Sequence, residues 1–313
     1  MRILMFGRGV IATIYGQALQ EAGHDVEFYV RRGRAAAYGY EVQLDLVDTR
    51  SRRLGGRVRQ VVPTRLRESV EPGDGFELVV LSVGHHQLPA AAEFLAPRIG
   101  DATVLVFGNI WDEPIAAVAP LPSAQVVFGF PQAGGGFGED GVLHGGLLGR
   151  VIVGTSGEAP SLRESAVQEA FRTAGLAVRT QRDMRGWLWL HFVADAGMHA
   201  EGLRRGGLAA MIGDRQAFRE ALLTSRELLP VLQARGIDLR RHRRSTIGYH
   251  LSAPAAAGMA WASVHVPIAR ASLAAHTDPE AAEPRAVLRD TVHEARRLGV
   301  PAPRLEASLQ LHP

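Results

Sequence analysis

The 313-residue sequence contains no cysteine and no lysine. The absence of cysteine excludes disulfides, thiol nucleophiles, cysteine-ligated zinc and iron–sulfur clusters. The absence of lysine bears on any catalysis that would draw on an ammonium group, and it leaves all 35 Lys-or-Arg positions to arginine. The sequence pI of about 9.8 at a formal charge of only +3 therefore reflects arginine's high pKa more than a large excess of positive charge. Long apolar runs are also missing. The N-terminal run ends at Phe6, too short for the core of a signal peptide, and no stretch approaches the roughly 18 residues of a membrane span. Basic clusters at Arg31–Arg34, Arg50–Arg59 and Arg240–Arg244 are scattered and lack interleaved aromatics, which argues against nucleic acid as a partner. The expectation is a soluble, cytoplasmic protein that acts on a small molecule, with no membrane partner, and with a homodimer left open.

What is present is a 46% hydrophobic chain, long enough for two domains. Its first thirty-two residues are the most informative. Met1–Phe6 is a short apolar run that stops at Gly7-Arg8-Gly9-Val10-Ile11-Ala12, a G-x-G-x-x-A loop. An apolar helix follows through Ile14, Tyr15, Ala18 and Leu19, closing at Gly23 before a second strand, Val26–Val30. Strand, glycine loop, helix and strand make the first βαβ unit of a dinucleotide-binding sheet. Gly7 permits the tight turn, Gly9 lets backbone amides approach a pyrophosphate, and small Ala12 lets the helix sit close to the strand. The second strand runs into Arg31-Arg32-Gly33-Arg34, where an NAD site would usually place a carboxylate for the ribose hydroxyls. Guanidinium groups suit a 2′-phosphate, so NADP(H) is the expected cofactor; the alternative is a solvated basic turn.

Further along, Tyr40–Val47 and Gly56–Val62 alternate polar and apolar residues as half-buried strands do. Glu77–Val83 and Ala102–Phe107 are nearly continuous apolar runs, as expected of parallel strands covered on both faces. They end at Gly84-His85-His86-Gln87 and Gly108-Asn109. Ligands of open α/β sheets lie beyond the carboxyl ends of the strands, so Val83, Gly84, His85, His86 and Asn109 are placed near a nicotinamide and its substrate. For His85 and His86, a polar loop contacting solvent or cofactor accounts for them equally well. Gln125–Phe130 predicts another strand, Gly134–Gly138 a flexible turn, and Val142–Gly154 a hairpin carrying His144. Ser161-Leu-Arg-Glu164 has the form of a capping box and predicts a helix to about Ala174. A strand at Ala177–Thr180 closes the first domain, expected over residues 1–182. Residues 183–313 predict an all-helical domain, with helices at Trp187–Leu203, Arg215–Arg235, Ala253–Leu273 and Glu283–Leu298, and biased turns at Ala253–Ala257 and Pro279–Pro284. The tryptophans, Trp111, Trp187, Trp189 and Trp261, are expected in the core or a cleft wall.

The whole pattern resembles the ketopantoate reductase family of NADP-dependent 2-keto acid reductases. The resemblance rests on the opening through Arg32, the Val83–Gln87 segment, the Gly108-Asn109 turn and the Gly141-Val-Leu-His-Gly145 segment. It continues in the Trp189-x-x-Phe192 helix, Ala234-Arg-Gly-Ile237 and Leu298-Gly-Val-Pro-Ala-Pro303. It implies an N-terminal Rossmann domain followed by a helical domain, with the active site in the cleft between them. The departures are specific. Where the family carries a lysine in the turn after its fourth strand, this chain has Val83-Gly84-His85-His86-Gln87. Where the family's helix carries a catalytic lysine and two asparagines four and eight residues on, this chain has His191, Asp195 and His199. The family's late serine and glutamate substrate ligands have no evident counterpart, and only Asn109 is cleanly retained. Ketopantoate is therefore not the expected substrate, and the divergence points to specialised metabolism.

Residues 191, 195 and 199 recur every four positions and share one helix face. A carboxylate beside an imidazole stabilises the charged ring and orders its tautomer, which prepares His191 to donate a proton. Reduction of C=O or C=N needs that donation. The expected roles are His191 as acid, Asp195 as orienter, and His199 or Asn109 as substrate ligand. The cofactor contacts are expected from Gly7, Arg8, Gly9, Val10, Ile11, Ala12, Arg31, Arg32, Val83, Gly84 and Asn109. Other readings of the triplet are a structural polar network and a non-redox acid/base pair for isomerisation, elimination or cyclisation. Another is an NADP(H)-binding protein without catalysis. A metal is not expected, because three ligands spread over two turns of one helix diverge too far for one ion.

Overall fold

The computed structural model describes residues 1–51, 55–275 and 282–311. It has two compact units, Met1–Met184 and Arg185–Pro313. Arg52 and Arg53 of the second basic cluster, and residues 279–281 of the expected Pro279–Pro284 turn, lie outside the described residues.

The first unit is a mixed α/β domain with two sheets. Its strands are β1 (Arg2–Phe6), β2 (Asp25–Tyr29), β3 (Glu41–Asp48), β4 (Gly56–Pro63), β5 (Leu66–Arg67), β6 (Leu78–Leu81), β7 (Thr103–Phe107), β8 (Val126–Phe130), β9 (Ala133–Phe137), β10 (Leu143–Leu147), β11 (Arg150–Gly154) and β12 (Ala177–Gln181). Its helices are α1 (Val10–Glu21), α2 (Ala35–Tyr38), α3 (Leu88–Leu95), α4 (Pro114–Ala117) and α5 (Leu162–Thr173). The large sheet has the order β12-β11-β8-β7-β6-β1-β2-β5. From β8 to β5 every pairing is parallel, while β11 runs antiparallel to β8. The central strands β6 and β7 are buried along their whole length, as their unbroken apolar runs require when both faces are covered.

The alternating strands β3 and β4 pair antiparallel and belong to a second sheet of order β4-β3-β10-β9. Val42, Leu44 and Leu46 of β3 join Leu143 and Leu147 of β10, the inward face of α1 and the large sheet in one hydrophobic core. The helix lies close to the sheet at Gly16. A methyl group on Gly16 would stand 2.5 Å from the ring of buried Phe28 and 3.2 Å from Met5.

Two expectations for this unit fail. Gly134–Gly138 is not a flexible turn: most of it is strand β9, paired antiparallel with β10. The glycines serve close approach, because Gly135 and Gly145 face each other and a side chain on either would collide with the opposite backbone. Nor does 142–154 fold as a hairpin. β10 pairs with β3 and β9 in the small sheet, whereas β11 pairs with β8 and β12 in the large one. The chain changes sheets at Gly149, whose N–H donates to Thr49 Oγ1 at 2.7 Å in a space too tight for a side chain. The capping box forms: Ser161 accepts from the Glu164 N–H at 3.2 Å and Glu164 accepts from the Ser161 N–H at 2.6 Å.

The second unit is helical. It contains α6 (Met184–Arg205, which begins at the boundary), α7 (Arg215–Glu227), α8 (Leu229–Ala234), α9 (Arg243–His250), α10 (Ser252–His265), α11 (Pro267–Ala274), α12 (Ala282–Arg297) and α13 (Pro303–Leu311). The single helix expected over Arg215–Arg235 breaks at Leu228, because Pro230 has no N–H for the bond a continuous helix would make. Pro267 divides the Ala253–Leu273 stretch in the same way. Ala253–Ala257 lies inside α10 instead of forming a turn, as an alanine run favours, and Pro284 sits in the first turn of α12. Arg240, Arg241, Arg243 and Arg244 stand exposed at the start of α9. Trp111 and Trp189 are buried, whereas Trp261 is 61% exposed on α10 beside His265 and so lies outside the core. Among the described residues no helix is long and apolar enough to cross a membrane.

Candidate active site

In the first unit the parallel strands β7, β6, β1 and β2 are adjacent, so the loops beyond their carboxyl ends lie along one edge. Those loops carry Gly108-Asn109, Val83–Gln87, Gly7–Ala12 and Val30–Arg34. The chain order reverses between β6 and β1, the position at which open α/β sheets form a ligand crevice. Gly7 has φ +105°, which only glycine adopts readily, and its N–H donates to the Tyr29 carbonyl at 3.0 Å, tying the loop to β2. Gly9 is the N-terminal cap of α1 and its carbonyl accepts from the Thr13 N–H at 2.9 Å. Space for a side chain is open at both glycines.

Arg8 is not simply solvated. Its guanidinium carbon lies 5.0 Å from the Tyr38 ring centre and 5.7 Å from that of Phe137, and its Nη2 donates to the Glu41 carbonyl at 3.2 Å. Burial lowers its pKa from the ordinary arginine value. Arg31, Arg32 and Arg34 are exposed in the turn after β2. Tyr29 stacks on Phe6 and on Phe94, with ring centres 4.9 Å away in each case, and Phe6 and Phe94 meet each other at 5.8 Å. His85 and His86 form a short 3-10 turn with their rings edge to face at 5.5 Å, and Val83, Gly84, His85 and Asn109 are all half-buried.

His191, Asp195 and His199 belong to the second unit, on α6, and all three are half-buried. His191 Nε2 and Asp195 Oδ1 are 3.5 Å apart, with the side chains 31% and 25% exposed. One turn earlier, the Trp187 ring stacks on His191 at 5.1 Å with the planes 8° apart. The imidazole is thus held between an aromatic face and a carboxylate. Gly197, on the opposite side of α6, lies so close to Ser225 and the Ala221 carbonyl of α7 that no side chain fits, which fixes the helix that carries the pair. Among the described residues, no three histidine or carboxylate side chains gather as a metal site needs.

Two features escaped the sequence. Tyr249 of α9 is buried, and its phenol is pushed up to about 12 by burial and by the Asp195 carboxylate, so a neutral hydroxyl lies near that carboxylate. No short motif marks it. Trp189 and Ala234-Arg-Gly-Ile237 also explain each other: the Arg235 guanidinium carbon sits 3.4 Å from the centre of the Trp189 ring and that of Arg185 sits 4.1 Å from it. Arg235 also reaches Glu294 at 3.4 Å.

A sequence model of the family described as ketopantoate reductase PanE/ApbA matches residues 3–158, about half of the chain. The chain belongs to the ketopantoate reductase family. Solved structures share the fold over essentially the full length. A 2-dehydropantoate 2-reductase from Geobacter metallireducens GS-15 is 19% identical, with 100% of both chains covered and a TM-score of 0.70. The 2-dehydropantoate 2-reductase from Porphyromonas gingivalis W83 is 16% identical, with 99% of this chain and 98% of that chain covered and a TM-score of 0.64. D-Mandelate dehydrogenase, in a ternary structure with NADH and anilino(oxo)acetate, is 15% identical, with 99% and 96% covered and a TM-score of 0.71. Comparison with curated protein sequences finds no match.

Proposed function

We propose that this member of the ketopantoate reductase family is an NAD(P)-dependent reductase that prefers NADP(H) and reduces a carbonyl or imine other than ketopantoate. The observation that carries the chemistry is the contact of His191 Nε2 with Asp195 Oδ1 at 3.5 Å, under the stacked Trp187 ring. The dinucleotide class is supported by the family match and by a structural relative that holds NADH. The phosphate preference is supported by Arg8, Arg31, Arg32 and Arg34 around the loops after β1 and β2.

The backbone of Gly7–Ala12, at the start of α1, would hold the pyrophosphate, with Arg31 and Arg32 at the 2′-phosphate and Val83, Gly84 and Asn109 at the nicotinamide half. When bound, the cofactor supplies a hydride to the carbon of C=O or C=N. The π electron pair moves to oxygen or nitrogen, and His191, as the imidazolium, places its proton there. Asp195 holds the ring and offsets its charge before transfer, and water returns the proton afterwards. With no lysine in the chain, no ammonium group of a side chain competes for this role. The substrate ligand is His199 or Asn109.

The same pair supports a second reading. An imidazole and a carboxylate can move a proton within a substrate without any hydride, as an isomerase, lyase or cyclase would, and the family's lysine is replaced in this chain by His191. One experiment separates the roles. In the reductase, His191→Asn abolishes NADPH oxidation by the responsive substrate in a panel of carbonyls and imines, while NADPH affinity, titrated by cofactor fluorescence, stays nearly intact. Unchanged turnover removes His191 as the acid, and product formed without NADPH consumption selects the non-redox reading.

A further inference from the structure

Several arginines of the first unit are matched with a carboxylate, and two beside the Tyr38 ring are not. Arg2, Arg50, Arg57, Arg59, Arg65 and Arg67 each pair with an aspartate or glutamate. Arg8 and Arg34 instead meet an aromatic ring. The guanidinium carbons lie 5.0 Å and 5.6 Å from the centre of the same ring, Tyr38. Among the described residues neither has a carboxylate within ion-pair distance.

Arg8 comes from the glycine loop after β1 and Arg34 from the turn after β2, so Tyr38 joins the two loops that flank the adenosine half of a dinucleotide in this fold. Phe137 of β9 and the Glu41 carbonyl hold Arg8 from other sides, and neither is anionic. Two guanidinium charges drawn to one ring repel each other, and a dianion is the ligand that relieves the repulsion. Glu68, the carboxylate at this turn, faces the backbone. It accepts from the Ala35 N–H at 2.8 Å and is held below the usual carboxylate range by that bond and by the N–H groups of Gly33 and Arg34, with Arg32 nearby. It thereby shapes the turn while leaving the side chains of Arg8 and Arg34 to a ligand.

We propose that Tyr38 selects the cofactor: its ring gathers Arg8 and Arg34 into a receptor for a phosphomonoester, the 2′-phosphate that distinguishes NADP(H) from NAD(H). This rests on the NADP(H) reading above and adds a residue to it. Calorimetric titration with adenosine 2′,5′-bisphosphate and with 5′-AMP isolates the contribution of that phosphate without any turnover. The wild-type protein is expected to bind the bisphosphate more tightly. Tyr38→Leu should reduce this preference roughly tenfold with 5′-AMP affinity unchanged, because two cation–ring contacts are lost. Tyr38→Phe retains a ring and should retain the preference. If Tyr38→Leu keeps the preference, or weakens both nucleotides equally, the selecting role of Tyr38 is overturned while the NADP(H) reading stands. If the wild-type protein binds both nucleotides equally, both are overturned.

Discussion

Asp195 lies one helical turn beyond His191 on α6, with its Oδ1 3.5 Å from the imidazole Nε2. The contact is made by neighbours on one helix, so it needs no long-range element to form, and the Trp187 stack limits how far the ring can swing away from it. If Asp195 acts only through His191, the two residues are one unit energetically. Asp195→Asn should then lower turnover by about 10²-fold, at the low end of what an acid/base group contributes. The double variant His191→Asn/Asp195→Asn should be no worse than His191→Asn alone. Steady-state kinetics of the three proteins check this, and multiplicative losses would show that the residues act separately.

Gly16 should be intolerant of alanine although alanine is the better helix former. The gain in helix propensity is about 1 kcal/mol, but the added methyl would stand 2.5 Å from the buried Phe28 ring. Overpacking of this kind costs about 1–3 kcal/mol, so the net change should be destabilising. Urea unfolding of Gly16→Ala measures it, and a stabilised variant would mean that α1 sits farther from the sheet.

Asp45 links β3 to β4 electrostatically. Arg57 donates to both its carboxylate oxygens at 2.6 Å and Arg59 donates at 3.1 Å, and the Arg57 bonds lead the effects that lower its pKa to about 2. A carboxylate depressed in the folded state adds stability that is complete above its unfolded value of 3.8 and is lost as pH falls toward about 2. Because both arginines are exposed, the contribution is about 1 kcal/mol. Asp45→Asn should be less stable than wild type by that amount at neutral pH, and the gap should close as the pH drops below the unfolded value. A gap independent of pH would assign the loss to packing.

The first unit was the more legible of the two, for a physical reason. Its strand–loop–helix–strand opening, the continuous burial of β6 and β7 and the Ser161–Glu164 capping box are all encoded by residues close in sequence. What escaped depends on distant partners. Gly134–Gly138 has the composition of a turn, and only Gly145 across the hairpin shows why a strand needs glycine there. The passage from β10 to β11 has uninterrupted β character, and nothing local marks the change of sheet at Gly149. On α6, the spacing of His191, Asp195 and His199 places them on one face without the structure. Tyr249, on another helix, feels the Asp195 charge, and no spacing rule announces it.

In the proposed reduction, hydride passes from a nicotinamide to the substrate carbon while His191 protonates the neighbouring atom. The most direct measurement supplies NADPH deuterated at C4 of the nicotinamide together with the carbonyl or imine that the protein consumes, and examines the product by mass spectrometry. Hydride transfer places one deuterium in the product on the former C=O or C=N carbon, with one NADPH oxidised per product formed. Unlabelled product formed with the cofactor unchanged would contradict it.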